Sequence, residues 1–209
     1  GWYIGTAEKN WQLRLAGLVR TIAEKLGVNT DKIICYGSSA GGFASLMLAS
    51  RLKNATAVAI NPQTNVLIYS KRFVAEFLET CFSGRTQTEL LPAELARMSA
   101  IAAFRRAPEA KCLIVQNLVD TVHYERHYKP FCNAFDIPIE GGTDKTGRGV
   151  SLLYSHPNGH GQEPREIVES LIATAVELSG LRLPIPSVEF VNESTDKSKA
   201  TRMHTKQLY

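Results

Sequence analysis

Cysteine is scarce: four residues in 209 (Cys35, Cys81, Cys112, Cys132), none spaced C-x-x-C with another. Neither a zinc site nor a disulfide framework is expected from that pattern, and the chain reads as a reduced protein. No apolar run approaches the roughly 18 residues that a membrane-crossing helix needs, and no signal peptide opens the chain. A cytoplasmic setting without a membrane span is the expectation. Charge of one sign is missing too. Lysine and arginine number 24 against 20 acidic residues and are scattered, which argues against nucleic acid as a partner. Nucleotide loops fare no better. Gly37, Gly41 and Gly42 have the wrong spacing for a dinucleotide fingerprint, and Phe43-Ala44 stand where a phosphate loop would end in Lys and Ser or Thr. No cofactor is expected. The chain also starts without methionine, at Gly1-Trp2-Tyr3-Ile4-Gly5 in mid-pattern, as a segment excised from a longer protein would.

What is present is a core. With 44% hydrophobic residues, the chain can bury one sizeable interior. Ile33 to Tyr36 reads as a buried strand, Gly37-Ser38-Ser39-Ala40-Gly41 as a sharp turn, and Phe43 to Leu52 as a helix. Ala7 to Leu26 reads as a helix with an apolar face at Trp11, Leu15, Leu18, Val19, Ile22 and Leu26, stopped by Gly27. Trp2 to Ile4 reads as a strand end, and Ala57 to Ile60, Lys111 to Gln116 and Val150 to Tyr154 as further strands. His123 to Phe135 and the stretch from Glu163-Pro164 to Gly180 read as helices. Alternating helix and strand implies an α/β fold, a mostly parallel sheet with helices on both faces. The stretch 65–110 breaks the alternation. It is mostly helical by pattern (Phe73 to Phe82, Pro92 to Phe104) and too long for one crossover, so it reads as a helical cap over the strand ends. Residues 1–183 then form one domain, and the polar 184–209 an extension or tail.

Strand, glycine-flanked serine and helix make up the setting of a G-x-S-x-G nucleophile elbow. Ser39 would sit at the tip of the turn, with Gly37 and Gly41 where a side chain would collide. The helix N-terminus behind it, first of all the Ala40 N–H, would face a developing oxyanion. An incidental serine in a tight turn is the competing reading. A nucleophilic serine needs a base and a carboxylate to orient it, and such groups gather at the carboxyl ends of strands. Asp120 follows the strand ending at Gln116, and His160 lies in Ser155-His156-Pro157-Asn158-Gly159-His160-Gly161 after the strand ending at Tyr154. Asp120 reads otherwise as a helix cap. His156 rivals His160, but Pro157 restricts its backbone. His123 and His127, at i and i+4, could ligate a metal; without an acidic partner of metal-site spacing they read as solvent-facing or cap-packing, and no metal is expected. A second oxyanion donor, which usually comes from the loop after an earlier strand, is not apparent: it lies in sequence not present, or another group such as the Gly5-Thr6 turn substitutes.

On Gly37-Ser38-Ser39-Ala40-Gly41, Asp120 and Gly159-His160-Gly161, in that chain order, the sequence from Trp2 to about Leu178 resembles the α/β-hydrolase superfamily, from its fourth strand to its last helix. More narrowly, Tyr36 to Phe43 followed by Ile60-Asn61-Pro62-Gln63-Thr64 resembles hydrolase-like proteins associated with bacterial capsule and surface-polysaccharide biosynthesis. The resemblance implies a serine esterase or deacetylase acting on a small-molecule or glycan acyl ester. It also implies that the first three strands are absent here, so that an N-terminal region or partner would complete the sheet. The alternative class is a non-catalytic, hydrolase-like binding or assembly module in a glycan-making complex.

Overall fold

The computed structural model describes residues 1–180 and the backbone of 202–204. The rest of the expected tail, 184–209, lies outside the described residues. The strands are β1 (Ile34–Ser38), β2 (Thr56–Ile60), β3 (Lys111–Asn117), β4 (Gly142–Thr143), β5 (Gly149–Ser155) and β6 (Arg202–His204). They lie in the order β1-β2-β3-β5-β4, with β6 also paired to β5. β1, β2, β3 and β5 run parallel, while β4 and β6 pair antiparallel with β5.

Side chains alternate across a strand, and both faces of this sheet are covered. Cys35, Ala57, Ala59, Cys112, Ile114 and Leu153 point into one core with α2 (Ala40–Ala49). Val58, Ile60, Leu113, Val115, Val150 and Leu152 point the other way, onto Ile167, Leu171 and Ala175 of α8 (Arg165–Ser179). Burial on both sides explains why these strands read as near-continuous apolar runs. Cys35, Cys112 and Cys132 are buried and free; burial pushes the Cys35 and Cys132 thiols up to about 12. Among the described residues no helix is long and apolar enough to cross a membrane.

The first 25 residues depart from expectation. Trp2 and Tyr3 have φ of 52° and 57°, so this is a turn rather than a strand end. Helix α1 (Trp11–Lys25) starts four residues late because the Asn10 side chain caps it, accepting from the Leu13 amide. Its buried face is Gln12, Ala16 and Ala23. Of the expected apolar stripe, Val19 is packed against the core, whereas Leu18 and Leu26 are 56% and 71% exposed. The helix is in contact with α2, and Gln12 is drawn inward by its bonds to the Arg97 carbonyl and the Arg51 side chain.

Between β2 and β3 the chain runs through α3 (Lys71–Phe82), α4 (Pro92–Leu95) and α5 (Ala100–Arg105). The single helix expected over Pro92 to Phe104 is broken, since Ser99 starts a new one by capping the Ala102 amide while Ala100 N–H turns back to Thr64 O. After β3 come α6 (Thr121–His123), a π-helical turn (Tyr124–Tyr128) and α7 (Lys129–Ala134).

Candidate active site

Four parallel strands end on one edge, and the polar side chains there are tied together. The Asn61 Oδ1 accepts from the Asn117 amide at 2.7 Å and its Nδ2 donates to the Tyr154 hydroxyl at 2.8 Å, which links the ends of β2, β3 and β5. Asn117 in turn donates from Nδ2 to the carbonyls of His156 (2.8 Å) and Gly159 (2.7 Å), and its Oδ1 accepts from the His156 amide. The loop carrying His160 is therefore held from β3.

Ser39 stands between β1 and α2 with φ 53° and ψ −118°, a backbone conformation that a serine adopts only when its surroundings impose it. Gly37 makes the turn possible, because a Cβ there would lie 2.3 Å from the Gly41 carbonyl. Gly41 itself has open space; the second crowded position is Gly42, where a Cβ would stand 3.0 Å from Pro62. The amides of Ala40 and Gly41 open α2 and have no intrahelical partner.

The structure brings Ser39, His160 and Asp120 together. His160 Nε2 is 2.8 Å from Ser39 Oγ, and His160 Nδ1 is 2.6 Å from Asp120 Oδ2. A carboxylate only accepts, so Nδ1 carries the hydrogen and Nε2 is left to accept from the serine hydroxyl. Asp120 is also the helix cap of the competing reading: its Oδ1 accepts from the His123 amide at 3.2 Å. Burial works against its charge, but the His123 amide, the positive field of His123 and the bonds from both imidazoles hold the carboxyl below its ordinary value. His156 stays within its loop, its Nδ1 accepting from the Asn158 amide at 3.4 Å.

The expectation for His123 and His127 needs correction. Both are buried, and Asp120, three residues upstream, is an acidic partner. His123 Nδ1 lies 2.9 Å from Asp120 Oδ2, and its ring stacks on His160 with centroids 3.8 Å apart and planes 9° from parallel. Burial, then the charge of His160, pulls its pKa down against the attraction of Asp120. Tyr69 packs on both rings, at centroid distances of 5.5 and 6.3 Å. Asp120, His123 and His160 offer one ligand atom each within 4.8 Å of one another, but those atoms are already hydrogen bonded, to each other or to Ser39 and Gln63.

Gln63 completes the group. Its Oε1 accepts from the Trp2 indole at 3.0 Å, and its Nε2 lies 3.0 Å from Ser39 Oγ and 2.8 Å from His123 Nε2. Sequence reasoning missed Gln63, His123, Asn117 and Trp2 at this site. The local signal was position, because Asn117 ends an apolar strand and Gln63 stands third after another. As for the Gly5-Thr6 turn, the Thr6 amide is bonded to Lys9 O at 2.9 Å.

No protein-family model and no curated protein matches the chain. Solved structures do. The capsule O-acetyltransferase of Neisseria meningitidis serogroup A superposes with a TM-score of 0.57 at 17% identity, covering 85% of this chain and 68% of that one. A mutant of that protein in complex with CoA matches equally, with 69% of its chain covered. Acetyl xylan esterase 1 of Thermoanaerobacterium sp. JW/SL YS485 gives 0.54 at 15% identity, over 81% of this chain and 52% of that one. The parallel sheet, the helices on its two faces and these neighbours identify the fold as α/β-hydrolase-like.

Proposed function

We propose that the chain is a serine-type acyl-ester enzyme, an esterase or deacetylase, with Ser39 as nucleophile, His160 as general base and then acid, and Asp120 as the group that orients His160. The single observation carrying this reading is the unbroken relay Asp120–His160–Ser39 at 2.6 and 2.8 Å. Asp120 holds the imidazole in the tautomer whose Nε2 can accept, and stabilises the imidazolium once the proton arrives. The Ser39 oxygen bonds to the acyl carbon while its proton passes to His160 Nε2. The carbonyl electron pair moves onto oxygen, which the Ala40 N–H faces. On collapse, the bond to the leaving alkoxide breaks and His160 returns the proton to it. Water, deprotonated by the same imidazole, then bonds to the acyl carbon; the bond to Ser39 Oγ breaks, the acid leaves, and His160 returns the proton to that oxygen. General base catalysis contributes about 10²–10⁴ in rate and an oxyanion donor about 10²–10³.

Residues 1–183 serve as one α/β domain in this reading, with 65–110 as a cap. Its support is Tyr69, which packs from that stretch onto His123. A glycan-linked acetyl ester is the substrate class that the neighbours' names favour. The acetyltransferase among them favours a second outcome at the same acyl-enzyme, transfer to a sugar hydroxyl instead of water.

Labelling by a fluorophosphonate probe is expected for the wild type and absent in Ser39→Ala. Folded wild-type protein that takes up no probe would leave only the non-catalytic binding module. Release of acetate from p-nitrophenyl acetate, with and without added sugar hydroxyls, separates hydrolysis from transfer.

A further inference from the structure

We infer that Gln63 is a catalytic residue, its side-chain amide supplying the second oxyanion donor beside the Ala40 N–H, and that the Trp2 indole holds this amide in its donating orientation. The inference rests on the acyl-ester reading above.

An amide side chain can point either end at a given neighbour, and its orientation follows from its partners. Here one partner leaves no choice. The indole nitrogen of Trp2 only donates, so the atom 3.0 Å from it must be the Gln63 oxygen. Trp2 is itself fixed, buried edge-on against Tyr69 and Phe77, at ring centroid distances of 6.1 and 5.3 Å. The amide nitrogen therefore faces inward, and its two hydrogens meet two acceptors: Ser39 Oγ at 3.0 Å and His123 Nε2 at 2.8 Å. His123 must then carry its own hydrogen on Nδ1, where it donates to Asp120. Every proton in the group follows from the indole, and none conflicts with a serine hydroxyl that donates to His160.

The chemistry follows from that placement. In the tetrahedral adduct, Ser39 Oγ and the oxyanion are bonded to the same carbon. A donor already within hydrogen-bond distance of Oγ reaches the oxyanion by a small rotation. As Oγ forms its bond to carbon it commits a lone pair to that bond and becomes a neutral, ether-like oxygen, while the neighbouring oxygen gains the carbonyl electron pair and becomes the stronger acceptor. The Gln63 N–H thus changes partner in the direction that favours the transition state over the ground state, which is the requirement for raising kcat. The second amide hydrogen stays on His123 and keeps the side chain in place.

Gln63→Ala is expected to lower kcat for p-nitrophenyl acetate by about 10²–10³ with KM within a few-fold of wild type. Gln63→Glu keeps the shape, still accepts from Trp2, and puts an anion where the donor stood; its loss is expected to be at least as large. Affinity for a trifluoromethyl ketone, whose hemiketal bears an oxyanion, should fall in parallel with kcat, a response that a merely structural glutamine would not produce. Trp2→Phe retains the ring packing and frees the amide to flip, with roughly a threefold to tenfold drop in kcat expected, the size of one lost hydrogen bond. If Gln63→Ala does not fold, Gln63→Glu and Trp2→Phe decide, and wild-type kcat in both overturns the inference. So does Gln63→Ala within threefold of wild-type kcat while Ser39→Ala is inactive, which leaves the acyl-ester reading intact. Ser39→Ala at wild-type activity would instead sink that reading and this one with it.

Discussion

At Ser39 the backbone sits at φ 53°, and the neighbouring residues show what keeps it there. Gly37 is fixed by contact: a methyl group would meet the Gly41 backbone carbonyl at 2.3 Å, with nothing flexible to give way. Gly37→Ala is therefore expected to cost about 1–3 kcal/mol or more in stability, and to misplace the serine even where the protein folds. Gly41→Ala meets no atom within 4 Å and lies in α2, where alanine is favoured by about 0.5–1 kcal/mol; its melting temperature should hold or rise. Thermal melts of the two variants, with probe labelling alongside, check the contrast. Sequence reasoning assigned the collision to Gly37 and Gly41, correct for the first only, because a motif gives spacing but not which glycine packs on Pro62. Ser39, Asp120 and His160 were legible as candidates because each follows an apolar strand run at the carboxyl edge of the sheet. Gln63 was not, since its part depends on Trp2, 61 residues away in sequence, and on two rings whose tautomers only the assembled site determines.

Among the elements, the run from Thr121 through the π-helical turn at Tyr124–Tyr128 has the largest bearing on the site. A π-turn widens the helix by one residue, and here His123 and His127 both face the core, 5.2 Å apart. His127 Nδ1 accepts from the Thr64 amide at 3.2 Å, which fixes the neutral ring. Burial first, then the charges of His123 and Arg126, lower its pKa from 6.5 to about 3. The unfolded chain thus binds a proton near pH 6.5 that the folded one refuses until about pH 3. Stability is present in full above 6.5 and is lost as pH falls through that window, by roughly 2 kcal/mol at pH 5. In His127→Asn, which can still accept from Thr64, the drop in melting temperature between pH 7 and pH 5 should shrink. An equal drop in both proteins would show that other groups carry the acid sensitivity. The helix itself was visible in the sequence; its π-turn was not, because apolar periodicity places a helix without revealing where one residue is inserted.

For the molecule as a whole, the four parallel strands β1, β2, β3 and β5 could be inferred from apolar runs bounded by turns, whereas the short antiparallel β4 and β6, which fall in stretches read as loop and tail, and the orientation of α1 could not. Periodicity pointed to the leucine face, yet the helix packs by Gln12, Ala16 and Ala23, residues too small or too polar to stand out in a hydrophobic pattern. The outcome is a band of Trp11, Leu18, Ile22 and Leu26 in contact with water. Water is released whenever two such bands meet. The purified chain is therefore expected to bind phenyl resin strongly, and its light scattering should rise faster with concentration than ideal behaviour allows. Leu18→Glu combined with Leu26→Lys should weaken both effects while shifting the unfolding free energy by no more than about 0.5 kcal/mol. A preparation of this protein will keep best dilute, in a buffer with enough mild detergent to coat one helix.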